Sequence, residues 1–147
     1  MTTTEYLEQI TDIDSRCEIN LAEIEKWHEI ATSVSVSYDK EPVKSSGNKQ
    51  RMESAAVNAV YYEQKARERY NYFMELRGKI IGEILNLGGK ADYRRILYKC
   101  YVENKHLTDI ASEIRYCDSH TRRLHREALK LFEKTYGKEY LNKYEQK

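Results

Sequence analysis

One proline (Pro42) and six glycines stand in 147 residues, so the chain is almost without helix breakers and long uninterrupted helices are open to it. No apolar run approaches the length that crosses a bilayer, so no membrane partner is expected. The opening MTTTEYLEQ lacks the basic and apolar regions of a signal peptide, and a cytoplasmic protein is expected. The three cysteines (Cys17, Cys100, Cys117) are odd in number and far apart, with no C-x-x-C pair, which argues against a disulfide framework and against zinc. Cys17 and Cys100 fall on apolar stripes, where a free cysteine acts as a small hydrophobe. His120 and His125 are five apart, on different faces of a helix, and no metal site is expected. Phosphate-binding, dinucleotide and zinc-protease motifs and a nucleophile elbow are all missing, so neither an enzyme nor a cofactor is expected.

What is present is uneven charge. Residues 1–89 carry 11 Lys/Arg against 15 Asp/Glu, a net of −4, whereas residues 90–147 carry 14 against 9, a net of +5. An acidic arm joined to a basic end suggests two tasks, with the basic end facing a polyanion; two solvated surfaces are the plainer account.

Apolar residues recur at Tyr6, Ile10, Ile13, Cys17, Leu21, Ile24, Trp27, Ala31 and Val34. Steps of three and four predict an amphipathic helix over about residues 3–34, with acidic residues on its other faces. Residues 35–50, with Pro42 and Ser45-Ser46-Gly47, predict a polar loop; alternation around Val34 and Val36 also allows a short strand. A second helix is predicted over about 51–87, on the stripe Met52, Ala56, Ala59, Ala66, Phe73, Leu76, Ile80, Ile84 and Leu87. Two long helices and one loop make an antiparallel hairpin, domain 1–89. Tyr61, Tyr62, Tyr70 and Tyr72 are expected to pack within it rather than to stack on bases. Gly88-Gly89 ends the second helix, since glycine tolerates the left-handed conformation there.

Residues 90–147 predict a separate three-helix unit. Asp92 is the expected cap of a helix burying Tyr93, Ile96, Leu97, Cys100 and Tyr101. Asn104-Lys105-His106 makes a turn, and Thr108 is the expected cap of a short helix with Ile110, Ala111 and Ile114 inward. After the tight turn Arg115-Tyr116-Cys117, a last helix from about Asp118 to Lys134 buries Thr121, Leu124, Ala128, Leu131 and Phe132. A short middle helix and a three-residue turn fit the helix-turn-helix plan, with small Ala111 letting the two helices cross closely. The fold class is therefore all-α: a long helical hairpin, then a helix-turn-helix unit.

The last helix leaves Ser119, His120, Arg122, Arg123, Arg126 and Lys130 opposite its buried stripe. Its start would offer His120, Arg122 and Arg123 to base edges or phosphates, since the arginine fork is the commonest guanine reader. Arg126 and Lys130 fit backbone phosphates. A basic face that only aids solubility is the bland account of the same residues. Double-stranded DNA is the expected partner.

The segment Leu107–Leu129, LTDIASEIRYCDSHTRRLHREAL, resembles region 4 of bacterial sigma factors. Ile110-Ala111, Leu124 and Ala128-Leu129 match, and Arg122-Arg123 fall where that family carries DNA-facing polar residues. The family's pattern has glycine at Arg115, serine at Cys117 and valine at Thr121, and Asp118 or Ser119 is expected to replace the missing serine cap. Over residues 5–133 the chain is also similar to a family of small phage and prophage proteins, themselves similar to the ArpU-type and RinA-type phage transcriptional regulators. EYLEQITDID, EIEKWHEIATSVS and YCDSHTRRLHREALKLF carry this likeness. The resemblance implies a sigma-like regulator of phage gene transcription in a bacterial host. An adaptor that docks on RNA polymerase or another partner is the alternative. Apolar surface on the hairpin, notably Trp27 and the tyrosines, suggests a homodimer; cover by the C-terminal unit would account for it equally.

Overall fold

A computed structural model describes residues 1–38 and 46–141, with side-chain surroundings for 1–33 and 51–141. The described chain is all-α. Helices α1 (Thr3–Tyr38) and α2 (Ser46–Leu85) are followed by α3 (Ala91–Leu97), which widens into a π-helical segment over Tyr98–Val102, then by α4 (Leu107–Ile114) and α5 (Asp118–Leu141).

The first helix starts on a capping box. Thr2 Oγ1 accepts the Glu5 N–H at 3.2 Å, and the Glu5 carboxylate accepts the Thr2 N–H at 2.7 Å. Two N–H groups that the helix itself cannot satisfy are thus paired. With no glycine or proline before Pro42, α1 then runs to Tyr38, past the expected end at 34. The loop predicted over 35–50 is accordingly shorter, because 35–38 and 46–50 are helical. The same helix replaces the strand allowed around Val34 and Val36. Residues 39–45, Pro42 among them, lie outside the described residues.

Contacts divide the chain into a terminal unit, Met1–Asp14 with Glu75–Lys147, and a central unit, Ser15–Met74. The divisions fall inside α1 and α2, not at Gly88-Gly89, where the two domains were expected to meet. In the central unit α1 and α2 run antiparallel, since partner numbers fall on α2 as they rise on α1. The Arg16 guanidinium lies 5.5 Å from the Phe73 ring centre, Arg69 donates to the Asn20 side-chain oxygen at 3.0 Å, and the Trp27 and Tyr62 ring centres are 4.9 Å apart. Cys17, Ile24, Ala59 and Ala66 are buried between the helices. Leu21, expected on this stripe, is 44 % exposed, and Asn20 is buried in its stead. Asn20 holds that place by donating to the Arg16 carbonyl at 2.8 Å while accepting from Arg69. Tyr61, Tyr62 and Tyr72 are 54, 48 and 63 % exposed, so each ring is covered on one side only, Tyr62 by Trp27 and Tyr72 by Phe73.

The terminal unit holds the large core. Phe132 of α5 is fully buried, its ring centre 6.1 Å from Tyr6 and 5.0 Å from Tyr136. Tyr6 stacks on Tyr140 at 4.3 Å, and the Tyr140 hydroxyl pairs with Thr3 at 2.9 Å. Leu7, Ile10, Ile80, Ile84 and Leu87 are fully buried as well. A second cluster, Ile96, Ile110 and Leu124, joins α3, α4 and α5. Gly89 turns the chain between α2 and α3 at φ +78°, and a Cβ there would meet Leu131 at 2.9 Å and Tyr93 at 3.1 Å. The left-handed backbone makes glycine the least strained residue at 89, and a Cβ there would push the Leu131 and Tyr93 side chains aside. Arg94 ties down the connection after α2, donating to the Leu87 carbonyl at 2.7 Å.

Two expected caps are replaced. Helix α3 begins at Ala91 after Lys90, so Asp92 lies in its first turn, where its carboxylate accepts the Tyr116 hydroxyl at 2.9 Å. Helix α4 begins at Leu107 after His106, and Thr108 lies within it. The last helix continues to Leu141 rather than ending near Lys134, because Tyr136 and Tyr140 extend its buried stripe.

Glu83 is buried and accepts the Tyr6 hydroxyl at 2.8 Å. Burial pushes its carboxyl above the ordinary value of 4.5. The folded state therefore holds this proton more tightly than the unfolded state does, and the associated stability fades as pH rises through the raised pKa. Glu83→Gln keeps an acceptor for Tyr6 without the charge. Its denaturation midpoint relative to the parent should rise as pH is increased from about 4.5 toward neutrality; an offset constant with pH would refute the assignment.

Candidate nucleic-acid interface

The basic face of α5 is set by the turn before it. Helix α4 ends at Arg115, whose backbone is left-handed at φ 61°, ψ 40°. The Tyr116 N–H then reaches back to the Ala111 carbonyl at 3.0 Å, as in a Schellman ending. The conformation is the one glycine favours; arginine adopts it under strain.

Cys117 is the cap of α5. Its carbonyl accepts the Thr121 N–H at 3.0 Å, the first bond of the helix. The backbone N–H of His120 faces its sulfur and, with the Ser119 hydroxyl 3.8 Å away, holds the thiol below its usual pKa. The expectation that Asp118 or Ser119 would take over is thereby corrected. Both lie inside the helix, and Cys117 stands at the cap position itself. Thr121 is fully buried and donates its hydroxyl to the Cys117 carbonyl at 3.0 Å, so its polarity is satisfied locally.

Behind the turn, α4 is tied down by charge. Glu113 accepts from Lys99 at 2.6 Å and from Lys105 at 2.7 Å, and Lys105 also reaches Glu103 at 3.1 Å. Lys105, foremost, and Lys99 hold the Glu113 carboxyl below its usual pKa. A single exposed pair contributes little, but a joined set of four fixes one geometry at lower entropic cost. Asn104, at φ 55°, makes the corner between these groups, and its side-chain oxygen accepts the Thr11 hydroxyl at 2.8 Å.

On α5, Thr121, Leu124, Ala128 and Phe132 are buried and Leu131 is half-buried. Ser119, Arg122, Arg126 and Lys130 are exposed and recur at steps of three and four, one stripe along the opposite side. Arg122, Arg126 and Lys130 form no ion pair with a described residue. His120 and Arg123 form a neighbouring, ordered edge. Arg123 lies 2.9 Å from His120 Nδ1 and 3.9 Å from Glu127, while the His120 ring meets Tyr116 at 4.9 Å. All six expected residues thus stand on the first three to four turns of α5, three of them cations without an ion pair among the described residues. Asp118 is the one acid in its first turn. His125 belongs elsewhere: it stacks on Tyr101, shares a 3.0 Å hydrogen bond with its hydroxyl, and is biased by burial toward the neutral ring.

No protein-family model, curated protein or solved structure matches the chain.

Two substitutions test the turn. Arg115→Gly removes the left-handed strain and should stabilise the fold by about 0.5–1 kcal/mol in thermal denaturation; destabilisation would contradict the assigned backbone. Cys117→Ser should retain the cap, whereas Cys117→Ala should cost about 0.5–2 kcal/mol. Equal stability of the two variants would show that the sulfur caps nothing.

Proposed function

We propose that this chain is a sequence-specific DNA-binding transcriptional regulator, with α5 lying in the major groove as its reading helix. The observation that carries this reading is the stripe of Arg122, Arg126 and Lys130, three exposed cations without carboxylate partners among the described residues, on a helix whose opposite side is core. Cations left without partners on a rigid helix are poised for phosphates and base edges. The short α4, the three-residue turn and α5 have the order and lengths of a helix-turn-helix, and α3 supplies its supporting helix.

Within this reading Arg122 and Arg123 lie nearest the start of α5 and present their forks to guanine. Ser119 and His120 offer shorter polar contacts, and Arg126 and Lys130 neutralise phosphates further along. The resemblance to sigma region 4 makes the DNA a promoter element and adds RNA polymerase as a protein partner. The resemblance to ArpU-type and RinA-type regulators makes the regulated genes those of a phage or prophage.

Selection from a random duplex pool, followed by binding titrations over a salt series, tests the proposal. A defined sequence should emerge, bound far more tightly than unrelated duplex. Replacing Arg122 or Arg123 by Ala should weaken that complex by about 1–3 kcal/mol where the residue reads a base. Arg126→Ala and Lys130→Ala should weaken all duplexes alike and lower the salt slope by about one unit each. If no sequence is enriched and the arginine variants bind as the parent does, α5 is not a reading helix.

A further inference from the structure

We infer that Arg123 is the arginine of α5 that sets base choice and that Glu127 and Tyr93 are its positioning residues, an assignment that rests on the proposed reading of DNA and narrows it. Arg123 is held from two sides. Its Nη2 donates to His120 Nδ1 at 2.9 Å, and its Nε stands 3.9 Å from a Glu127 oxygen. An arginine only donates, so His120 Nδ1 is the bare ring nitrogen, and the neutral ring carries its proton on Nε2.

Each holder is held in turn. The other Glu127 oxygen accepts the Tyr93 hydroxyl at 2.8 Å. The His120 ring meets the Tyr116 ring edge to face at 4.9 Å, and Tyr116 donates its hydroxyl to Asp92 at 2.9 Å. Asp92 and Tyr93 are neighbours in α3. The chain of contacts therefore leaves α3 at one residue, passes through Arg123 and returns to α3 at the next.

Such a closed ring suits a base better than a phosphate. Two parallel N–H groups meet guanine only when the fork arrives in one plane and one direction, whereas a phosphate accepts from many sides. A fork fixed before contact also loses less conformational freedom on binding. Both contacts use the Nε–Nη2 edge of the guanidinium. The end edge between Nη1 and Nη2 has no partner among the described residues, and 61 % of the side chain stays in solvent. Ser119, Arg123, Arg126 and Lys130 follow in steps of four, three and four, so Arg123 shares the face of the basic stripe. Arg122 and Arg126 form no ion pair with a described residue, and their side chains are free to follow whatever they meet.

The test measures base preference at every position of the selected site, by competition with duplexes changed at one base pair, and measures unrelated duplex alongside. Arg123→Ala should lose preference at one G·C pair, by about five- to hundredfold. Tyr93→Phe keeps the ring and removes the hydroxyl that anchors Glu127. It should lower preference at the same pair by about threefold or more, with other positions and unrelated duplex unchanged. In the Arg123→Ala background it should change nothing further. Glu127→Gln removes an acid beside the DNA, so unrelated duplex should bind at least as tightly while preference at that pair falls. In the free parent, nitrogen relaxation at Nε should show Arg123 more ordered than Arg122 or Arg126. Tyr93→Phe should lower that order.

A defined site whose preferences survive Tyr93→Phe overturns the assignment and leaves DNA reading standing. Uniform weakening at all positions overturns it too, since the hydroxyl then only supports the fold. Selection that yields no sequence overturns both. An Arg123 side chain as mobile as Arg122 in the free parent overturns the assignment alone, a readout that needs neither DNA nor a folded variant.

Discussion

The burial of Phe132 is the constraint on which the terminal unit turns. Its ring lies in a nest of Tyr6, Tyr136 and Tyr140, and the Tyr6 hydroxyl reaches on to Glu83. One residue of α5 thus gathers the start of α1 and the end of α2 around the helix that carries the basic stripe. Burying such a ring contributes about 1.5–3 kcal/mol, but its positional effect matters as much. With core packed on one side of α5 over most of its length, the cations on the other side sit on a stiff support.

The turn before α5 solves a second problem with unusual residues. A three-residue connection between two helices needs a left-handed ending and a polar cap, which glycine and serine supply at lowest strain. Here Arg115 takes the left-handed place and Cys117 the cap, while Thr121 returns its hydroxyl to the same carbonyl that starts the helix. The geometry is kept with different chemistry. An arginine is thereby placed at the exposed corner, and a thiol with lowered pKa stands at the mouth of the helix.

Much of this was legible in residue spacing. The all-α class followed from the scarcity of breakers, and the buried face of α5 followed from Thr121, Leu124, Ala128 and Phe132. Residues 20 and 21 were not separable in the same way, since both lie about one turn from Cys17 and from Ile24. Hydropathy favours Leu21, but Asn20 holds the seam because two hydrogen bonds offset its burial. The tyrosines show a related limit: a ring is equally at home half in water, so spacing alone does not say how much of it is covered. The capping box at Thr2–Glu5 was a readable signature, T-x-x-E ahead of an apolar stripe. The π-helical widening at Tyr98–Val102 has no comparable signature.

The terminal unit is assembled from two stretches that lie far apart in the chain, Met1–Asp14 and Glu75–Lys147. This fixes an order of events in folding. The first stretch leaves the ribosome early, yet Tyr6 has no nest until Phe132 and Tyr140 have been made. A span of 60 residues intervenes, and because loop closure grows only logarithmically with length, joining its ends is a modest entropic burden. The burden falls on rate: the packing that stiffens α5 is of high contact order, formed late and undone as a unit.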